Sequence, residues 1–144
     1  MSEAVTGHSI FSIEITDPSD VVSARSKARE IAAGLGLGSA DQTRLATAIS
    51  EITRNVIQYA GPGGGVCRLF DESDNEWIRI RIEVEDWGIG ITDVVAALRD
   101  GYSTGGGLGA GLPGARRLMD QFDIQSHPGC TKVEMSMIRR RHHG

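Results

Sequence analysis

The chain has 144 residues, 40% hydrophobic and 24% charged, with a formal net charge of −4. That length fits one domain able to bury its own core, and the acidic balance argues against non-specific nucleic-acid binding, which needs a basic face. No apolar run approaches the roughly 18 residues of a membrane span.

The N-terminal "MSEAVTGHSIFSIEIT" lacks the basic, apolar, small-residue order of a signal peptide. The expectation is a cytoplasmic protein with neither nucleic acid nor membrane as partner. Cys67 and Cys130 form no C-x-x-C or Cys/His cluster, so zinc is not expected. They read as two reduced core thiols. Residues 1–144 are expected to form a single domain. Arg139, Arg140 and Arg141 open a solvated basic tail over 139–144.

In "FSIEI", Phe11, Ile13 and Ile15 share one side of a short strand. Asp17-Pro18-Ser19 starts a helix, with proline early in the first turn. That helix stops near Gly34 to Gly38. A second helix, "SADQTRLATAISEITRNVIQYA", carries Leu45, Ile49, Ile52, Val56 and Tyr59 on one apolar stripe. "GPGGG" ends it.

Two strands are expected near 66–71 and 77–86, with "DESDNE" between them. The second alternates sharply: Ile78, Ile80, Ile82 and Val84 face the core, while Arg79, Arg81, Glu83 and Glu85 face outward. A short helix, "DVVAALRDG", leads into a glycine loop. "PGARRLMDQF" forms a further helix, and strands follow near 122–127 and 131–138, joined at Pro128-Gly129. The order β-α-α-β-β-α-α-β-β is not a doubly wound parallel sheet. It fits an α/β fold: a mixed, mostly antiparallel sheet with helices on one face.

Asp86 has the parity of the core-facing isoleucines. If the strand persists that far, a carboxylate ends on the core side, where it needs a partner. A ligand amine can supply one, and Gly88 and Gly90 leave room for a flat ring. The alternative is a strand that frays first. Glu51 and Asn55 lie four apart on one helix face. They read either as a surface Glu with a helix-border Asn, or as a proton acceptor and a neutral oxygen ligand for Mg²⁺.

"GYSTGGGLGAGLPG" has no G-K-[ST], so it is no Walker loop. Gly109, Gly111 and Gly114 match G-x-G-x-x-G, but without the strand before it that a dinucleotide site requires. A flexible linker does not explain Pro113, placed to open a helix at once. A glycine loop running into a helix N-terminus offers backbone N–H groups to phosphate.

In order, "SEITRN", "EDWGIG", "GLGAGL" and "GCT" resemble the N, G1, G2 and G3 boxes of the GHKL ATPase/kinase superfamily. Within it the chain is similar to the small bacterial anti-sigma-factor-type serine/threonine kinases. The resemblance implies a Bergerat-type two-layer α/β sandwich that uses ATP and Mg²⁺. It implies that Asn55 holds Mg²⁺ and that Glu51 is the general base. Asp86 takes the adenine amine, with Gly88 and Gly90 against the ring. Gly105, Gly106, Gly107, Gly109 and Gly111 wrap the phosphates, and Thr131 sits near the adenine. Arg54, Arg116 and Arg117 are candidates for the γ-phosphate.

The implied setting is a stressosome partner-switching module. A STAS-domain protein is the phosphorylated substrate, a PP2C-type phosphatase is bound on release, and a sigma factor is a further candidate partner. The alternative is a nucleotide-gated binder, an anti-sigma factor or phosphatase activator without catalysis. A third reading, a detached histidine-kinase catalytic domain, lacks room for a phosphoacceptor helix pair. Signatures of eukaryotic-type kinases (H-R-D, D-F-G) are missing.

Overall fold

A computed structural model describes residues 9–59, 63–88 and 111–141. Strand β1 is Phe11–Ile15, helix α1 Pro18–Leu35, helix α2 Ser39–Tyr59, β2 Gly65–Asp71 and β3 Trp77–Asp86. Helix α3 (Leu112–Leu118), β4 (Gln121–His127) and β5 (Cys130–Arg140) follow. The sheet order is β1-β2-β3-β5-β4, and all four pairings are antiparallel. The expected two-layer α/β fold is present, with a sheet more uniformly antiparallel than expected. The short helix expected in "DVVAALRDG" lies outside the described residues.

Local chemistry sets the element ends. The Asp17 side chain caps α1 by accepting from the Ser19 N–H, and Asp20 accepts from the Asp17 N–H in return. Pro18 stands in the first turn, and Gly36 ends the helix at φ 101°, the left-handed conformation glycine adopts without strain. The β4–β5 hairpin turns on Pro128-Gly129, with Gly129 at φ 94°. Proline followed by a positive-φ glycine is the residue choice of a type II turn.

The core lies between the helices and one face of the sheet. Ala24, Ala28 and Ala32 of α1 and Leu45, Ile49, Ile52 and Val56 of α2 meet Leu69, Ile80, Ile82, Val84, Val133, Met135 and Met137. Three alanines at helical spacing allow α1 to lie close against its neighbours. Tyr59, expected on the α2 stripe, is instead 47% exposed at the helix end.

The opposite sheet face is polar, as the alternation of β3 predicts. The Arg81 guanidinium lies 3.9 Å from the Phe70 ring centroid and pairs with Glu72, Glu83 and Glu134. Arg68 reaches both Glu83 and Glu85. Although burial opposes ionisation of Glu83, Arg81 and Lys132 hold its carboxyl below the ordinary range.

Two expectations are corrected. The helix after Pro113 stops at Leu118 rather than continuing to Phe122. Met119 turns extended, the Asp120 N–H donates to the Ser136 carbonyl, and Phe122 joins β4 opposite Met135. Sheet pairing thus overrides the helical pattern of "RRLMDQF". Arg139 and Arg140 are not tail. They lie in β5, paired with Ile78 and Trp77, and Arg139 bridges Asp41 of α2 and Asp120. Of the thiols, Cys67 is buried and Cys130 half-buried, and both are free. Burial pushes the Cys67 thiol up to about 12. Among the described residues, no helix is long and apolar enough to cross a membrane.

Candidate functional site

Helix α2 carries the first part of the site. Glu51 is 6% exposed, so it is a buried carboxylate and not the surface residue its helical position alone allowed. Its Oε1 accepts from the Gly111 N–H at 3.2 Å, and its Oε2 pairs with Arg54 Nη1 at 3.2 Å. The first contact ties α2 to the end of the glycine loop, because Gly111 is the residue on which α3 begins. Gly111 adopts φ 61°, ψ −129°, a backbone shape that excludes an ordinary side chain. Pro113 stands near the start of α3, as expected. Asn55, one turn beyond Glu51, is half-buried.

The second part forms at one end of the sheet. Strand β3 persists to Asp86, which brings that carboxylate to the core-facing side. Asp86 is half-buried, and burial raises its pKa against the opposing effect of the Gly88 N–H, which donates to Oδ1 at 3.0 Å. Thr131 faces Asp86 across the β3–β5 pairing and is 5% exposed. Its hydroxyl lies 2.6 Å from Ser126 Oγ on β4. The Gly129 N–H donates to the Gly88 carbonyl at 3.1 Å, so the β4–β5 turn holds the chain just after Asp86.

Gly65 links the two parts. It pairs with Asp86 from the β2 side. A Cβ placed there would stand 2.4 Å from the Glu85 carbonyl oxygen and 2.9 Å from Val56 Cγ1. Val56 follows Asn55 directly, so the missing side chain lets α2 approach the sheet beside Asp86. "GPGGG" read only as a helix end. Counting the β2–β3 register back from Asp86 is the signal that would have found Gly65. Ser126 carried no signal before the β4–β5 register was known.

Of the predicted site residues, Glu51, Asn55, Asp86, Gly88, Gly111 and Thr131 are placed by the structure. Glu51 and Gly111 are in direct contact; Asp86, Gly88 and Thr131 share the sheet end. Gly90, Gly105, Gly106, Gly107 and Gly109 lie outside the described residues. Arg54 is committed to Glu51, and Arg116 and Arg117 are exposed in the last turn of α3.

A half-buried carboxylate at the sheet end and a helix bearing Glu51 and Asn55 are the two features set against known proteins. Residues 15–137 match the family described as the histidine kinase-like ATPase domain, and the chain belongs to that family. It is 47% identical over 111 residues to serine/threonine-protein kinase RsbT of Bacillus subtilis (strain 168), an alignment covering 76% of this chain and 81% of that protein. The kinase class expected from the sequence is thus the class of its relative. The fold is shared with the crystal structure of the RsbU and RsbW domains of a Mycobacterium tuberculosis protein. The TM-score is 0.61 at 21% identity, and the match covers 90% of this chain but 32% of that one.

Proposed function

We propose that this protein is an ATP- and Mg²⁺-dependent protein serine/threonine kinase of a bacterial partner-switching module. It transfers the γ-phosphoryl group of ATP to a hydroxyl of a STAS-domain protein and binds a PP2C-type phosphatase once released. The observation that carries the catalytic reading is the buried carboxylate of Glu51, one helical turn before Asn55 and bonded to Gly111. Burying a charged group is unfavourable unless it is paired. A protein that only binds nucleotide does not need a base at this place, although the same carboxylate also ties α2 to Gly111.

In this reading Asp86 accepts a hydrogen bond from the exocyclic amine of adenine, and Gly88 leaves the ring face clear. Thr131 borders the same base. The backbone of the glycine loop, Gly105 to Gly111, surrounds the phosphates. Glu51 takes the proton of the attacking hydroxyl as the new O–P bond forms and the bond from the β,γ-bridging oxygen to the γ-phosphorus breaks.

Among the described residues no group of three or more His, Cys, Asp or Glu stands together as a metal cage. The donor chemistry here fits Mg²⁺ carried on the phosphates, with Asn55 supplying one neutral oxygen. The ion neutralises phosphate charge when bound. The single described residue assigned to it is Asn55, and Glu51 is assigned to the proton.

The test is to mix the protein, Mg²⁺-ATP and a STAS-domain protein encoded beside it, and read intact mass. A gain of one phosphate on the partner supports the kinase. ATP binding without transfer to any such partner favours the nucleotide-gated binder instead.

A further inference from the structure

At the sheet end, four residues from four neighbouring strands stand in one row: Gly65, Asp86, Thr131 and Ser126. The first three are explained by close approach and by contact with a base. Ser126 is not. It lies on β4, outside every motif in the sequence, yet its hydroxyl sits 2.6 Å from that of Thr131. Thr131 is 5% exposed, so its hydroxyl has little water to turn towards.

We propose that Ser126 is a positioning residue that sets base selectivity by fixing the direction of the Thr131 hydroxyl. The inference rests on the reading of this sheet end as the adenine site. A hydroxyl is both donor and acceptor and rotates to suit its neighbours. Either hydroxyl can be the donor across this contact; with Ser126 as the donor, the Thr131 proton points away from β4 and is left for a base beside Asp86. The row then presents a hydroxyl donor beside a carboxylate acceptor.

That pair complements the Watson–Crick edge of adenine, where the N1 acceptor adjoins the N6 amine. It mismatches guanine, which offers an N1–H donor beside the O6 acceptor. Without Ser126 the Thr131 hydroxyl is free to rotate, and the order of donor and acceptor is lost. The Gly129–Gly88 hydrogen bond keeps β4 and β5 in register with the Asp86 strand end, so the row holds its alignment.

The experiment titrates ATP and GTP into the wild type and into Ser126→Ala, Ser126→Thr, Thr131→Val and the Ser126→Ala/Thr131→Val double variant. Thermal unfolding is recorded for each. The expected result is an ATP Kd about three- to ten-fold weaker in Ser126→Ala, the scale of one hydrogen bond, and a smaller ATP/GTP preference. Ser126→Thr restores both. The double variant is no weaker than Thr131→Val, because the two residues act as a unit. An unchanged ATP Kd and ATP/GTP ratio in a folded Ser126→Ala protein overturns the proposal, as do additive losses in the double variant. Wild-type protein that binds neither nucleotide overturns the adenine-site reading itself, which separates the two failures.

Discussion

Glu51 Oε1 lies 3.2 Å from the backbone nitrogen of Gly111, sixty residues later in the chain. This one hydrogen bond joins the helix that carries the proposed base to the residue where the glycine loop becomes α3. It also explains how a carboxylate that is 6% exposed is tolerated, since Gly111 and Arg54 each satisfy one of its oxygens. Glu51→Gln keeps an acceptor for the Gly111 N–H and loses the basic oxygen together with its ion pair to Arg54. ATP affinity should stay within about two-fold, and phosphoryl transfer should fall roughly 10²–10⁴-fold, the range of a positioned general base. Equal loss of binding and transfer, measured in the same samples, contradicts that role.

Asp86 couples function against stability. Burial raises its pKa in the folded protein. A carboxyl with a raised folded pKa favours the folded state at low pH, and that contribution is lost as pH rises through the folded value. At neutral pH the ionised group is therefore a liability to the fold when no ligand pairs with it. Asp86→Asn should raise the melting temperature at pH 7 while abolishing ATP binding. In the wild type, ATP affinity should weaken as pH falls through the raised pKa, because protonation removes the charge that strengthens acceptance from the amine and turns one oxygen into a donor. Calorimetry across that pH window, with a thermal melt of Asp86→Asn, checks both signs.

Gly65→Ala should damage both fold and site. The added Cβ meets the Glu85 carbonyl oxygen at 2.4 Å and Val56 Cγ1 at 2.9 Å, and the first of these is backbone. Overpacking of this kind costs about 1–3 kcal/mol. The strain falls on the strand end that carries Asp86, so ATP affinity drops as well. Gly38→Ala, with nothing within 4 Å of the new Cβ, is the matched control. It should leave ATP affinity unchanged.

The Asp41–Arg139 pair should matter for stability alone. Arg139 Nε and Nη2 reach the two Asp41 oxygens at 3.0 and 3.1 Å. The Arg139 hydrogen bond holds the Asp41 carboxyl below its ordinary range. A depressed folded pKa gives stability that is present above the unfolded pKa and lost as pH falls through the folded value. The pair is partly solvated, so Asp41→Asn should lower stability by no more than about 1 kcal/mol at pH 7. The difference should vanish in acid. Urea melts at pH 7 and at low pH measure it, and transfer activity should be unchanged.

Much of the architecture was legible in local pattern. The parity of Ile78 to Asp86 put a carboxylate on the core side of β3, and the i, i+4 spacing placed Glu51 and Asn55 together. Pro18 and Pro113 marked helix starts, and Pro128-Gly129 marked the hairpin. What escaped depends on distant partners. Glu51 is buried because Gly111 closes over it. "RRLMDQF" is helical by composition, but Asp120 and Phe122 pair with β5. Arg139 looked like the start of a basic tail until the register of β3 and β5 carried it past Asp41. Gly65 and Ser126 gain their meaning only from the strands beside them. These are properties of register and tertiary approach, which no window of sequence contains.

Glu51 is the residue proposed to make this fold a kinase and not merely a nucleotide-dependent binder. The most direct measurement is single-turnover transfer of phosphate from Mg²⁺-ATP to a neighbouring STAS-domain protein, wild type against Glu51→Gln, with both proteins saturated in ATP. The general-base role of Glu51 requires one phosphate on the partner with the wild type and a rate roughly 10²–10⁴-fold lower with the variant. Equal transfer by both proteins at saturating ATP would contradict it.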